Sequence, residues 1–202
     1  MTLAETPAAL TPTDEEVLRA DLYDLVGALL ARPPSAELLR KVAALQGDGS
    51  PLGQSIGALA TMAGHLRAEA VELEFNQLFI GLTRGELMPY ASYYMTGFLH
   101  EKPLAVLRND MRRLGIERTP NTFEPEDNMA SLCETMAGLI RGTFGPGGLG
   151  PQKDFYQAHL APWAGHFFTD LEGAKASVFY APLGAVGRVF MEIEREAFRL
   201  GA

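Results

Sequence analysis

The sequence predicts an all-α chain. Apolar residues recur at three- and four-residue spacing along most of its length. Period-2 alternation is nowhere sustained, and the Pro and Gly clusters fall between the helical patterns rather than inside them. With 202 residues and no internal repeat, one helical domain over residues 13–202 is expected, behind a Thr/Ala/Pro-rich N-terminal tail at residues 1–12.

The elements follow in order. Thr13 or Asp14 caps a first helix, with Glu15 and Glu16 in its first turn and a stripe of Val17, Leu18, Leu22, Leu25, Val26, Leu29 and Leu30. Pro33-Pro34 ends it. Ser35 caps a second helix bearing Leu38, Leu39, Val42 and Leu45, and residues 47–51 form a loop. A third pattern spans about residues 53–70 and a fourth about 71–79, with an irregular aromatic stretch at 81–101. Pro103 opens a helix carrying Leu104, Leu107, Met111 and Leu114, which Gly115 stops. Residues 119–123 link to the next helix. Residues 142–150 are a Gly-rich connector, without the Lys-Ser/Thr of a phosphate loop. Two helical patterns at about 152–171 and 182–200 complete the chain.

The run Glu124-Pro125-Glu126-Asp127-Asn128 has a local reading of its own. Pro125 suits the first helical position, and Glu126 and Asp127 would then complement the helix dipole. Met129, Leu132, Cys133, Met136, Ala137 and Ile140 follow at helical spacing. On this window alone a well-started core helix is the expectation.

Composition excludes several classes. Charged residues make up 21% of the chain against 47% hydrophobic, which suits a globular domain with a sizeable core. The net charge of −8 disfavours nucleic acid and anionic lipid and favours a basic partner. The single cysteine, Cys133, rules out an intramolecular disulfide and reads as a buried, inert thiol. No secretory signal and no bilayer-spanning run occurs, so a cytoplasmic location without stable membrane insertion is expected. The four histidines, His65, His100, His159 and His166, form neither a Glu-x-x-His pair nor a zinc motif. No nucleophile elbow is present. Neither a metal nor another cofactor is expected, and nothing argues for catalysis.

Residues 87–94, Leu87-Met88-Pro89-Tyr90-Ala91-Ser92-Tyr93-Tyr94, admit two readings. One is a capped core loop. The other is a partly open Met/Tyr surface suited to adaptable peptide binding. Phe75, Leu78 and Phe79 read as core at their spacing. Pro162-Trp163 reads as a packed helix junction, His159 as a helix-end or packing residue, and Phe179-Tyr180 as a wedge before the last helix.

Four of these segments together resemble a known family. The run EPEDN resembles the EP-x-DH signature of the TorD/DmsD/NarJ redox-enzyme maturation chaperones. His159-Leu160-Ala161-Pro162-Trp163 is similar to their H-L-x-P-W. Phe179-Tyr180 and Phe75-Asn76-Gln77-Leu78-Phe79 match in the same order, from about Glu72 to Phe198. One departure stands out: Asn128 occupies the place of the family's usual His. The resemblance implies a cytoplasmic, non-enzymatic chaperone. Such proteins bind the N-terminal leader, often a twin-arginine signal, of a molybdenum-cofactor oxidoreductase subunit. They assist folding and cofactor insertion and delay export.

The resemblance also tips residues 87–94 toward binding. It implies peptide-binding roles for Leu87, Met88, Tyr90, Tyr93, Tyr94, Glu124, Glu126, Asp127 and Asn128, with Asp127 engaging the basic end of the leader. It leaves structural roles for Phe75, Leu78, Phe79, Pro125, His159, Pro162, Trp163, Phe179 and Tyr180. Formate dehydrogenase, trimethylamine N-oxide or dimethyl sulfoxide reductase, and nitrate reductase are all candidate clients, and a homodimer stays open. The alternative classes are a helical adaptor or regulatory protein and, less favoured by the missing ligand spacings, a ferritin-like or haem-binding enzyme.

Overall fold

The computed structural model of the chain describes residues 12–82, 84–117 and 124–201. Among the described residues, ten α-helices make up one all-helical domain: α1 (Asp14–Ala31), α2 (Ala36–Ala43), α3 (Pro51–His65), α4 (Ala68–Phe75), α5 (Ala91–Thr96), α6 (Lys102–Arg113), α7 (Met129–Ile140), α8 (Leu149–Phe155), α9 (Ala164–Gly173) and α10 (Tyr180–Leu200). Among the described residues there is no strand, only one isolated antiparallel bridge between Tyr90 and Asn128. The expected tail, all but Pro12, and the expected linker at 119–123 lie outside the described residues.

α7 is the hub. Ten of its twelve residues are buried, the signature of a helix enclosed on nearly every side. α1 packs along it, with Gly27 set in the contact. A Cβ there would lie 3.3 Å from both the Ala130 carbonyl oxygen and the Cys133 Cβ. α9 and α10 form a second tight pair, with a Cβ on Gly184 meeting the Glu172 backbone nitrogen at 2.5 Å and one on Gly187 running into the Phe168 ring. α10 also packs on α3, and α3 on α2.

Caps fix the element starts. Thr13 and Glu16 form a reciprocal capping box on α1, and Ser35 and Ser50 cap α2 and α3. The start of α10 has no cap on its own chain segment. The buried carboxylate of Glu74, on α4, supplies one from a distance. It accepts the N–H groups of Val178 (2.7 Å), Phe179 (2.9 Å) and Tyr180 (2.8 Å). This cap is why Phe179 and Tyr180, both fully buried, sit as the wedge expected from sequence. A second buried carboxylate, Glu194 on α10, takes Arg19 through two hydrogen bonds (2.7 and 2.8 Å) and the Tyr23 hydroxyl (3.0 Å), which ties α1 to α10.

Several expectations need correction. Pro125 is not the first residue of α7, and Glu126 and Asp127 are not in its first turn. The helix begins at Met129, with Asn128 as its N-cap, its side-chain oxygen accepting the Ala130 N–H at 2.9 Å. Val17, Leu18 and Leu45 are exposed. The buried face of α1 instead runs through Ala20, Tyr23, Val26, Gly27, Leu29 and Leu30. The third pattern breaks at Leu66 and Arg67, and a short helix, α5, sits inside the stretch read as irregular. The segment at 152–171 is two helices, broken around Pro162. α4 and α8 each close in a π turn, Asn76–Ile80 and Tyr156–Leu160, with Gly81 N–H donating to Asn76 O (2.7 Å) and Ala161 N–H to Tyr156 O (2.8 Å). Such turns often sit at functional segments. Here both fall within stretches that carry the family resemblance.

Candidate functional site

The bridge between Tyr90 and Asn128 brings together the two segments singled out from sequence. Ala91 N–H donates to Asp127 O at 3.0 Å, and Met129 N–H donates to Pro89 O at 2.8 Å. The Asp127 carboxylate completes the junction by accepting the Ser92 N–H at 2.8 Å. Asp127 thereby caps the start of α5, and it is fully buried.

This junction is a thin wall between two cavities. On one side lies a groove of about 550 Å³ between α1, α7 and the π turn after α4. Its floor is made of small residues, Gly27, Ala28, Ala31 and Ala130, and Phe75, Phe79, Ile80 and Pro89 form an apolar end. That end lies beside the C-terminal part of α1, because Tyr180 contacts the Phe79 ring and donates its hydroxyl to the Leu29 carbonyl oxygen. Asp24 lies seven residues before Ala31, about 10 Å along the helix, and marks the polar end with Ser131 and Glu134. On the other side of the wall is a smaller, more apolar cavity of about 300 Å³, lined by Ala91, Met95, Val106, Leu107, Leu132 and Asp127 among others.

The groove is acidic at its edge. Asp24, Glu124 and Glu134 line it. Asp24 holds the Arg141 guanidinium at 2.6 Å, and Asp21 shares that cation at 2.6 Å. Glu124 accepts the Tyr90 hydroxyl. Burial, with the neighbouring Glu124 carboxylate, raises the Tyr90 phenol well above its ordinary range, so the hydroxyl stays a donor. The Asn128 side chain opposes that rise in part.

Of the residues expected to bind a peptide, the structure places Tyr90, Glu124 and Asn128 in the groove. The others lie elsewhere. Leu87 and Met88 are half-buried in the strap leading to the bridge. Tyr93 stacks under Arg84 and accepts a hydrogen bond from it. Tyr94 packs on Trp163 and Phe167 and donates to Asp170 at 2.9 Å. Glu126 takes Arg108 through two hydrogen bonds, at 3.0 and 2.8 Å. Asp127 faces inward.

Of the residues expected to be structural, Leu78, Trp163, Phe179 and Tyr180 are fully buried, while Phe75 and Phe79 also line the groove. His159 is buried in the wall of the smaller cavity. Its ring bonds Asp110 at 3.0 Å, and its carbonyl oxygen accepts the Trp163 indole N–H at 2.7 Å. Desolvation lowers the His159 pKa, and the Asp110 carboxylate only partly opposes it.

The sequence reading missed Asp24, Gly27, Ala28, Ala31, Ile80 and Glu134. Two signals were present. Gly27, Ala28 and Ala31 are small residues spaced along one helix, and Glu134 is the one charged residue in α7. Burial pushes the Cys133 thiol well up, in keeping with an inert core residue. Among the described residues no group of His, Cys, Asp and Glu could hold a metal ion, and no helix is long and apolar enough to cross a membrane.

The model of the nitrate reductase delta subunit family matches residues 46–169, more than half of the chain. The chain belongs to that family. It is thus a redox-enzyme maturation chaperone of the TorD/NarJ-like group and not an enzyme. The matched span holds the junction, the smaller cavity and most of the groove, while α1 contributes the rest from outside it.

Over 199 residues the chaperone is 26% identical to the chaperone protein TorD of Vibrio cholerae serotype O1 El Tor Inaba, covering 88% of this chain and 90% of the relative. The TorD of the classical Ogawa strain matches over the same extent. A crystal structure of an Archaeoglobus fulgidus protein, described as a redox enzyme maturation protein, shares the fold. Its TM-score is 0.58 at 21% identity, with 94% of this chain and 99% of the other covered.

Proposed function

We propose that this chaperone acts in the cytoplasm, where it binds the N-terminal leader of a molybdenum-cofactor oxidoreductase subunit in the groove between α1 and α7. It holds the subunit for folding and cofactor insertion before export. The observation that supports this most is the polarity of the groove. One end carries Asp24 and Glu134, and the other carries Phe75, Phe79 and Ile80. A leader is basic first and apolar afterwards, so it would lie along the groove with its charge at the first end. The floor of Gly27, Ala28, Ala31 and Ala130 leaves room for apolar side chains, and Tyr90 adds a rigid ring whose hydroxyl is held by Glu124.

The test is calorimetric titration of the chaperone with synthetic leaders of the molybdoenzymes encoded in its own genome. Saturable binding that weakens with added salt is expected, since part of the attraction is screened charge. Absence of binding to every leader and to every full precursor would defeat the reading.

A further inference from the structure

We propose that Glu134 is the specificity residue with which the groove selects a basic side chain in the bound peptide; this rests on the leader reading above. Three carboxylates line the groove, and two are already engaged. Asp24 is held by Arg141, and Glu124 accepts the Tyr90 hydroxyl. Glu134 is exposed and makes no hydrogen bond or ion pair among the described residues.

Its place in the fold supports the role. Glu134 is the one charged residue of α7, a helix otherwise given over to the core. A Cβ on Gly27 would lie 3.8 Å from the Glu134 backbone nitrogen, so Glu134 leaves α7 beside the contact with α1, and it lines the groove. The α1 residues that line the groove with Glu134 include the small Gly27 and Ala28. Asp127 is walled off behind the junction and cannot serve. Arg141 occupies oxygens of both neighbouring aspartates and offsets one of their two charges, so Glu134 is the unengaged carboxylate lining this end of the groove. An arginine or lysine gains a hydrogen bond between opposite charges there, while a glutamine gains one in which only the acceptor is charged.

The test uses the full chain and three synthetic peptides with one shared Leu/Ala-rich segment, preceded by Arg-Arg, Gln-Gln or Glu-Glu. The wild type is expected to prefer the Arg-Arg peptide. Glu134→Gln should weaken Arg-Arg binding by about tenfold, the equivalent of one such bond, and weaken Gln-Gln binding much less. Glu134→Lys should reverse the preference toward Glu-Glu. Glu15→Gln, an exposed carboxylate in the first turn of α1 and outside the groove, controls for overall charge. If Glu134→Gln loses no more than Glu15→Gln, or if the wild type binds Arg-Arg and Gln-Gln peptides equally, the role of Glu134 is overturned while the leader reading stands. If the wild type binds none of the three peptides and no natural leader, the leader reading falls and this inference with it.

Discussion

The Asp127 carboxylate accepts the backbone N–H of Ser92 at 2.8 Å from a fully buried position, and so locks the EPEDN run to the first turn of α5. The carboxylate at the centre of the family resemblance is thus a tie between two segments of the wall, and the residues beside it, Tyr90, Glu124 and Asn128, are the ones that meet the groove.

Replacing Asp127 therefore acts first on stability. Asp127→Asn keeps the shape but turns a charged acceptor into a neutral one, and its second oxygen position, which has no protein partner among the described residues, becomes a buried amide. A loss of about 1–3 kcal/mol is expected, the scale for a buried group left imperfectly paired. Urea unfolding gives that value, and titration of the folded variant should give a leader affinity within about twofold of wild type.

Glu74 is the matching test for the last helix. Glu74→Ala leaves the N–H groups of Val178, Phe179 and Tyr180 without their acceptor in the interior. A loss of at least about 3 kcal/mol is expected from three orphaned donors. Hydrogen exchange should report early opening at residues 178–183, ahead of α7.

His159 makes stability depend on pH. Its folded pKa lies below its unfolded value because burial disfavours the imidazolium. The unfolded chain therefore binds the extra proton more readily. This contribution is present above the unfolded pKa of about 6.5 and is lost as pH falls below it. Chemical unfolding of wild type and His159→Gln at a series of pH values should show the wild type losing its advantage between about pH 7 and pH 5. Parallel curves would contradict the assignment.

The groove itself should be insensitive to pH near neutrality. No histidine lines it, and Asn128 stands where the family's usual imidazole would be. Leader affinity measured between about pH 6 and pH 8, the range in which an ordinary imidazole titrates, is expected to stay flat. A tenfold change would point to a titrating group outside the groove.

Legibility from sequence followed the physics of each signal. α1, α2 and α6 were readable because caps and breakers are local: Thr13, Ser35, Pro103 and Gly115 act within a few residues of themselves. Glu74 was unreadable as a cap, since its partners lie more than a hundred residues away. The start of α7 was misplaced because Pro125 satisfies the local rule for a first helical residue, yet residues 126–127 form a turn and the bridge to Tyr90 holds Asn128 extended, so the helix begins only at Met129. The π turns after α4 and α8 leave no mark on a 3.6-residue periodicity. In the site, motif residues pointed to the right neighbourhood. The α1 side of the groove stayed hidden because its residues are small and α1 meets α7 only in three dimensions.

The groove can be closed without touching the core. Ala31 is exposed on its floor. Ala31→Trp should leave the melting temperature nearly unchanged, as expected for an exposed site, and should abolish leader binding by filling the apolar end. Retained affinity in the folded variant would place the peptide elsewhere.

Photo-crosslinking tests the central claim most directly. A leader that binds the wild-type chaperone is synthesised with a photoreactive phenylalanine analogue in its apolar segment, irradiated in the complex, and the adducts are mapped by mass spectrometry. Adducts concentrated on Phe75, Phe79, Ile80 and Tyr90 are expected. Adducts at Met95 and Val106, in the cavity behind the wall, with none along the α1–α7 groove, would contradict it.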